Sequence, residues 1–523
     1  MVKRFKKKKF GLLLAIAFLI TTITFNSAVL SADKINFNYS LLGFKILVKD
    51  LSAFAKQGEI SSSLNFYLKR ISSQQRDELQ KFLNQSYDVD PVLVYRYSRT
   101  SVGIKLLRRI GEIIQLPGNI NGFYGLRAAV VQTAELESGT NLINFLRQFP
   151  TDIKLNLDGI IKLVKQISNS EKDTKEFINK IENNKVETKL NLKNILDLSQ
   201  LGQYKTVQKT LAINDKKRDR LLNTDLYLPQ VKIDSIPVIV VSNGLGAKRD
   251  RFEELAQHLS SYGFAVAILD HPGSDRKRQK AFLKGLYQEN FDAADYINRP
   301  LDISYILDEL EILNQNQFNN KLNLKQVGIF GYSIGGTTAL SLAGADIDFN
   351  RLKQECAKPL NLLNISTLYQ CRAVELSKQS QSLKDERIKA AFMFVPFGNA
   401  MYSQAELNKV SIPMMWQVVD QDFLTSLLTE QVPLFNSLVN SDRFLVISEK
   451  LPHSNVTLSK EQQFEQGKIF QIAKNYQNIL SLAFFQNYVA QNQEYSKYLK
   501  EEYIKAIEHQ PHKLHLIRKK ARK

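Results

Sequence analysis

Hydrophobic and polar residues follow two different patterns along the chain. The stretch from about residue 33 to residue 190 opens with INFNYSLLGFKILV, which alternates like a short hairpin. Apolar residues then recur at three- and four-residue spacing, which is typical of amphipathic helices. Ser72 and Gln75 have the spacing of a helix-capping box. The pattern predicts a mainly helical first domain.

From about residue 200 onward, β-rich runs alternate with amphipathic helical stretches. The first two runs predict an antiparallel hairpin. The other six are continuous apolar runs, which are typical of a parallel sheet covered by helices on both faces. We therefore predict a doubly wound α/β domain. The runs are TVQKTLAI, DLYLP, IPVIVVS, FAVAILD, QVGIFG, IKAAFMFV, IPMMWQVV and RFLVIS.

These patterns divide the chain into predicted segments. The charged stretch 169–199 is expected to be an exposed helix or a linker between a helical domain, 33–168, and the α/β domain, 200–490. Residues 345–386 interrupt the alternation at the carboxyl edge of the sheet, where active sites lie, and predict a cap insertion. Residues 491–523 are predicted to be a basic tail.

The positive charge of the chain is concentrated at its two ends. The formal net charge is +19, and twelve basic residues lie within residues 3–9 and 513–523, which leaves 19 − 12 = +7 for the rest. Nucleic acid is therefore not a predicted partner. The C-terminal cluster allows two interpretations. We favour a solvated terminus, and the alternative is peripheral contact with anionic lipid.

Residues 1–32 have the features of a secretory signal peptide. A basic start, MVKRFKKKKF, precedes the apolar stretch GLLLAIAFLITTITF and the small residues of SAVLSADK. The apolar stretch is shorter than the roughly 17 to 25 residues of a spanning helix, so an uncleaved membrane anchor is the lesser alternative. We predict an exported protein, periplasmic or extracellular.

The chain has two cysteines, Cys356 and Cys371, and both lie in the predicted cap. In an oxidising compartment we expect them to form a disulfide. The alternative is a pair of buried free thiols.

The stretch VGIFGYSIGGTTAL places Ser333 between a predicted strand and a helix of small residues. The pattern Gly-x-Ser-x-Gly is weak by itself. In a strand–turn–helix context, however, it predicts a nucleophile elbow, where the flanking glycines avoid clashes in a tight turn. Ser333 is therefore the candidate nucleophile.

A base and an acid should follow later strands. His453 follows the last predicted strand and is the candidate base, while His271, after an earlier strand, is its rival. The run IPMMWQVVDQDFLTS supplies Asp422, which we prefer as the acid because of its D-x-x-T spacing, with Asp420 as the alternative. The chain order Ser333, Asp422, His453 is the order expected of such a triad when the nucleophile lies on an elbow of this kind.

An oxyanion site requires backbone N–H groups near the nucleophile. The loop in IPVIVVSNGLGAKRDRF follows a strand and contains Gly244 and Gly246. We expect the N–H groups of Leu245 and Ile334 to be the two donors. Because the sequence has neither a dinucleotide-binding glycine motif nor a phosphate-loop lysine, and because serine chemistry needs no metal, we predict no cofactor and no metal.

Two stretches carry a resemblance to a known family. SNGLGAKRDRFEELAQHLSSYGFAVAILDHPGSD together with GYSIGG resembles the platelet-activating-factor acetylhydrolase branch of the α/β-hydrolases, which is related to dienelactone hydrolases. The first domain, with YDVDPVLVYRYSRTSVGIKLLRRIGEII, looks like the domain attached to exported bacterial α/β-hydrolases of undefined substrate.

The resemblance implies an α/β-hydrolase fold and a serine hydrolase acting on carboxylic esters, with lipid or phospholipid acyl esters as the expected substrates. Two positions depart from that branch. Asn243 stands where the branch usually has His, and IKAAFMFVPFG lacks the acid that the branch carries after this strand. The alternatives are a short-chain carboxylesterase and a non-catalytic envelope binding protein that acts through its helical domain.

Overall fold

The computed structural model describes residues 31–183, 195–376, 382–451, 453 and 460–522. The predicted signal peptide, 1–32, lies outside these ranges except for its end. The chain divides into two compact units. The first contains residues up to Val94 together with Ile110–Ile160, and the second contains Tyr95–Arg109 together with the chain from Ile161 onward.

The strands are β1 (Lys34–Tyr39), β2 (Leu42–Leu47), β3 (Ile114–Gln115), β4 (Ile153–Leu155), β5 (Thr206–Asp215), β6 (Arg220–Pro229), β7 (Ile236–Ser242), β8 (Ala265–Leu269), β9 (Leu322–Tyr332), β10 (Ile388–Phe394), β11 (Met414–Val419), β12 (Arg443–Ser448) and β13 (Leu514–Lys519).

The α-helices are α1 (Val48–Gln57), α2 (Ser62–Leu68), α3 (Ser73–Asn84), α4 (Pro91–Tyr97), α5 (Ser101–Gly111), α6 (Phe123–Ala134), α7 (Leu142–Gln148), α8 (Leu157–Asn183), α9 (Glu253–Ser261), α10 (Arg276–Leu283), α11 (Asp295–Gln317), α12 (Ile334–Leu342), α13 (Phe349–Ala357), α14 (Ser366–Gln370), α15 (Gln404–Leu407), α16 (Val432–Ser437), α17 (Lys460–Tyr488) and α18 (Glu501–Ala506).

The first unit is mainly helical and contains a small sheet of order β2-β1-β4-β3. The predicted hairpin is present, because β1 and β2 pair antiparallel around a turn in which Ser40 has a φ of 54°. The predicted capping box of α3 is confirmed. The Gln75 N–H donates to Ser72 Oγ at 3.2 Å, and the Ser72 N–H donates to Gln75 Oε1 at 3.0 Å.

The second unit is built on a nine-stranded sheet of order β13-β12-β11-β10-β9-β7-β8-β6-β5. All eight predicted runs are strands of this sheet, and the six central ones, β7 to β12, pair in parallel. Along β7, Val238 and Val240 belong to one buried cluster, while Ile239 and Val241 belong to another. Both faces of the sheet are therefore covered, as the continuous apolar runs predict.

The predicted basic tail is corrected by the structure. Residues 491–523 contain a 3₁₀ helix, helix α18 and strand β13, which pairs antiparallel with β12. Leu514 and Leu516 are buried, and the basic residues cluster at the end of the strand. The alternating leucines and the ladder with β12 therefore hold most of this segment on the sheet edge.

Two other predicted segments also differ from the described structure. Residues 169–183 continue α8, and residues 184–194 of the predicted linker lie outside the described ranges. Tyr95–Arg109, which the sequence assigns to the helical domain, groups with the second unit. The Ser101 N–H, for example, donates to Glu289 Oε1 at 2.8 Å.

The predicted cap contains α13, α14 and a 3₁₀ turn at Cys371–Glu375. Cys356 and Cys371 form a disulfide, as predicted, with Cα atoms 5.6 Å apart. Such a bond fits an exported protein. Within the described ranges, no helix is both long enough and apolar enough to cross a membrane.

Candidate active site

Ser333 lies at the tight turn between β9 and α12. Its φ of 53° and ψ of −117° put a non-glycine residue in a sparsely populated conformation, which is the strained geometry of a nucleophile elbow. The neighbouring glycines are needed for packing. A Cβ atom on Gly335 would overlap the carbonyl group of Ser242, and one on Gly331 would overlap the carbonyl group of Gly335.

His453 and Asp422 form a hydrogen-bonded pair. The distance from His453 Nδ1 to Asp422 Oδ2 is 2.6 Å, and the Asp422 side chain is almost fully buried. The Leu424 N–H donates to Asp422 Oδ1 at 2.8 Å, and the Thr425 hydroxyl donates to Oδ2. Burial acts to raise the pKa of Asp422, but the bonds from His453 and Thr425 outweigh it and hold the pKa below the usual value. Asp422 is therefore an ionised acceptor for His453.

Asp420, the alternative acid, has a different environment. Its Oδ1 accepts a hydrogen bond from the Lys450 N–H at 2.8 Å, and burial raises its pKa. Within the described residues no hydrogen bond joins Asp420 to His453. Both aspartates follow β11, but the structure places only Asp422 against the imidazole.

Ser333 and His453 line the same cavity, which has a volume of about 580 Å³. Tyr332, the residue before the serine, donates its hydroxyl to the His453 carbonyl group at 3.1 Å. Its ring centroid lies 5.9 Å from that of the imidazole. The structure thus brings the candidate nucleophile and the acid–base pair to one surface.

Both candidate oxyanion donors lie beside the nucleophile. Ile334 is the first residue of α12, where an N–H group has no acceptor within the helix. Leu245 lines the cavity and lies between Gly244 and Gly246. A Cβ atom on Gly244 would come within 2.6 Å of the Tyr332 ring, and Gly246 has a φ of 67°. This loop therefore depends on both glycines.

His271, the rival base, belongs to a buried trio. Its Nε2 lies 3.1 Å from Ser242 Oγ, and its Nδ1 lies 3.1 Å from Asp302 Oδ2. All three residues are 2 % exposed or less. Burial, with Arg299 nearby, lowers the pKa of His271 to about 4, so the ring is neutral near pH 7. The trio has the residue types of a catalytic triad without access to substrate.

A buried ion cluster surrounds this trio, and sequence reasoning missed it. Arg299 is fully buried and donates to the Asn243 carbonyl group at 2.5 Å and to Ser274 Oγ at 2.6 Å. The Ser274 carbonyl group in turn accepts from the Gly246 N–H at 2.8 Å. The cluster therefore supports the oxyanion loop from below. Its ion-pair members are Arg218, Arg220, Arg299, Asp215, Asp295 and Asp302.

Another cavity, of about 500 Å³, borders the Asp422 loop and is lined in part by α8. Phe423 lines this cavity, whereas Leu424 lines the one that contains Ser333. The loop is thus a shared wall. Within the described ranges, no three His, Cys, Asp or Glu side chains come together as a metal-binding group.

Three family models match parts of the chain. Residues 31–156 match a family described as an alpha/beta hydrolase of unknown function, and residues 237–352 match the general alpha/beta hydrolase fold. Residues 177–294 match platelet-activating factor acetylhydrolase, isoform II. No curated protein matches the chain significantly.

The matches cover the first unit, the oxyanion loop and the elbow, and they agree with the large, mostly parallel sheet. They support an enzyme of the esterase or acetylhydrolase kind. The chain has the α/β-hydrolase fold and resembles the platelet-activating-factor acetylhydrolase branch of that fold.

Proposed function

We propose that this protein is an exported serine hydrolase that cleaves carboxylic esters, with lipid or phospholipid acyl esters as substrates, through an acyl-enzyme on Ser333. The observation that carries the proposal is that Ser333 and the hydrogen-bonded pair His453–Asp422 line one cavity. A strained elbow, a base and an ionised acid are the parts that acyl transfer requires.

In the first half-reaction, Ser333 Oγ attacks the ester carbonyl carbon while His453 Nε2 takes the hydroxyl proton. Asp422 holds Nδ1–H, so that Nε2 is free to accept, and stabilises the imidazolium that forms. The N–H groups of Leu245 and Ile334 bind the oxyanion. The C–O bond to the alcohol then breaks, and His453 returns the proton to the leaving oxygen.

Water completes the cycle by the same steps. His453 removes a proton from a water molecule, the hydroxide adds to the acyl carbon, and Ser333 leaves with the proton that His453 returns. The products are one carboxylic acid and one alcohol. Each step uses side chains and backbone groups of this chain.

The cavity walls favour an acyl chain. Apolar side chains of Leu245, Tyr332, Phe397 and Leu424 line it, and its volume is in the range of small-molecule sites. The acetylhydrolase match supports a lipid substrate by analogy. A short-chain carboxylesterase is the second candidate, since these walls would also accept a short acyl group.

The test is the hydrolysis of nitrophenyl esters from acetyl to decanoyl by the mature protein. We expect Ser333→Ala to abolish hydrolysis and Ser235→Ala, a matched change at an exposed serine, to preserve it. A rate maximum at six or more acyl carbons would support lipid substrates, whereas a maximum at acetyl would favour the short-chain esterase.

Covalent labelling separates the enzyme from a binding protein that acts through its helical unit. A fluorophosphonate should label the wild type and Ser235→Ala but not Ser333→Ala. Absence of both labelling and hydrolysis in the wild type would refute the serine-hydrolase proposal.

A further inference from the structure

The cavity that contains Ser333 is lined by more basic than acidic side chains among the described residues. Among the described residues, and apart from His453, the charged side chains that line it are Lys248, Arg251, Arg276 and Asp250. Their formal sum is 3 − 1 = +2. We call the three basic residues the cationic rim. The described lining of the proposed site therefore carries a positive excess.

Arg276 follows the turn that supports the oxyanion loop. The Gly246 N–H donates to the Ser274 carbonyl group at 2.8 Å, which ties the loop to this turn. The carboxylate of Asp275 accepts from the Arg278 N–H at 2.7 Å and so caps α10. Among the described residues, no carboxylate pairs with the exposed Arg276 side chain. Its guanidinium group is thus available to an anion at the cavity.

Arg251 is held beside the nucleophile by stacking. Its guanidinium carbon lies 4.5 Å from the centroid of the Tyr332 ring, and Tyr332 directly precedes Ser333. Stacking on an aromatic ring fixes the guanidinium plane without neutralising its charge. Among the described residues no carboxylate pairs with Arg251. Within the part of the chain that the structure describes, Lys248 pairs with one carboxylate, the exposed Asp250 at 3.4 Å, so the rim keeps a positive excess.

We infer that the ester cleaved at Ser333 carries an anionic group, a phosphate or a carboxylate, that the cationic rim binds. This inference rests on the proposed function and narrows its substrate class. The fork of an arginine guanidinium matches the oxygen pairs of both groups. Because the rim is partly exposed to water, we expect a preference of roughly three- to tenfold in kcat/KM, declining with salt.

The experiment compares related esters with and without a net negative charge. Dibutyroyl glycerophosphate, dibutyroyl glycerophosphocholine and dibutyroylglycerol share their acyl groups and their glycerol. A second pair, the nitrophenyl monoester of glutaric acid and nitrophenyl butyrate, places a carboxylate on the acyl side. A preference in the glycerol series assigns a phosphate head group, and a preference in the nitrophenyl pair assigns a soluble carboxylate ester. Either preference supports the inference.

In Arg276→Gln, the ratio of kcat/KM for the anionic ester to kcat/KM for the neutral ester should fall towards one. Lys280→Gln is the matched control, because Lys280 is an exposed cation on the same helix that does not line the cavity. It should leave the ratio unchanged. Thermal unfolding of both variants checks that the fold is retained.

Equal rates for charged and neutral esters, with cleavage that still depends on Ser333, would overturn this inference and leave the proposed function intact. An unchanged ratio in Arg276→Gln would overturn it too. If no ester is cleaved in a Ser333-dependent manner, the proposed function fails and the inference fails with it.

Discussion

The two aspartates after β11 offer a direct test of the proposed mechanism. Asp422 accepts from His453 Nδ1 at 2.6 Å, whereas Asp420 accepts from the Lys450 N–H at 2.8 Å. Replacing either with asparagine removes one charge and keeps the size of the side chain. The two variants differ only in which partner loses a carboxylate.

The magnitude for Asp422→Asn follows from the separation of the pair. Unit charges 2.6 Å apart attract by about 6 kcal/mol at an effective dielectric constant of about 20. That attraction stabilises the imidazolium in the transition state, so its loss corresponds to about four powers of ten in kcat. An amide can also turn its NH₂ group towards Nδ1, which would place the remaining proton on Nε2 and block its role as a base.

The assay is steady-state hydrolysis of nitrophenyl butyrate, with thermal unfolding to confirm the fold of each variant. We expect kcat to fall on the order of 10⁴-fold in Asp422→Asn. In Asp420→Asn it should stay within about threefold of wild type, because an amide oxygen can still accept from Lys450. A larger loss in Asp420→Asn, or retention of more than roughly a tenth of the activity in Asp422→Asn, would refute the assignment.

Four further predictions concern stability. Exchanging Cys356 and Cys371 for serine should lower the free energy of unfolding by about 3 kcal/mol, because their 15-residue separation no longer closes a loop. Urea denaturation measures this, and an unchanged midpoint would contradict it. Gly335→Ala should lower the thermal midpoint sharply, since its Cβ would overlap a backbone carbonyl group. Gly467→Ala, with nothing within 4 Å of the added carbon, should raise it slightly. Burial lowers the pKa of His258 from 6.5 to about 4, so between these values the unfolded state binds more protons. Stability should therefore fall as the pH drops from about 6.5 towards 4. His258→Leu should flatten that fall in denaturation curves at pH 7 and pH 5, and an identical slope would show that other groups cause it.

The sheet was predictable because its signal is local. Each central strand is a short apolar run between helical stretches, and all eight runs were identified as strands. The elbow could be predicted for the same reason, since the strand, the turn and the small-residue helix around Ser333 are contiguous in the sequence. Neighbouring residues alone carry this information.

The sequence does not predict the edge strand β13, because basic residues surround its short alternation of apolar side chains. Leu514 and Leu516 alternate as in a strand, but the surrounding lysines and arginines suggested a solvated terminus. Pairing with β12 joins residues that are 517 − 445 = 72 positions apart (Leu445↔Ile517), and no local pattern reveals such a tertiary contact. The segment Tyr95–Arg109 was misassigned for a similar reason, because its helical periodicity does not show which unit it packs on.

The sequence ranks Asp422 above Asp420 but leaves both open as the acid. The two residues follow the same strand, and their hydrogen-bond partners distinguish them. Leu424 and Thr425 donate to Asp422, whereas Lys450 donates to Asp420. The D-x-x-T spacing was the available signal, and in the structure Thr425 does bond to Asp422. Arg299 gave no comparable signal, because its partners are distant in the chain.

The buried ion cluster has a consequence for how related sequences can diverge. Its ion pairs involve three arginines and three aspartates, so their formal charges cancel. Losing one member would leave an uncompensated charge away from water, which costs about 3 to 5 kcal/mol, whereas exchanging an oppositely charged pair together for apolar residues can be neutral. A sequence that changes these positions one at a time therefore passes through a destabilised intermediate. Among homologues, these six positions should change in compensating pairs or stay fixed.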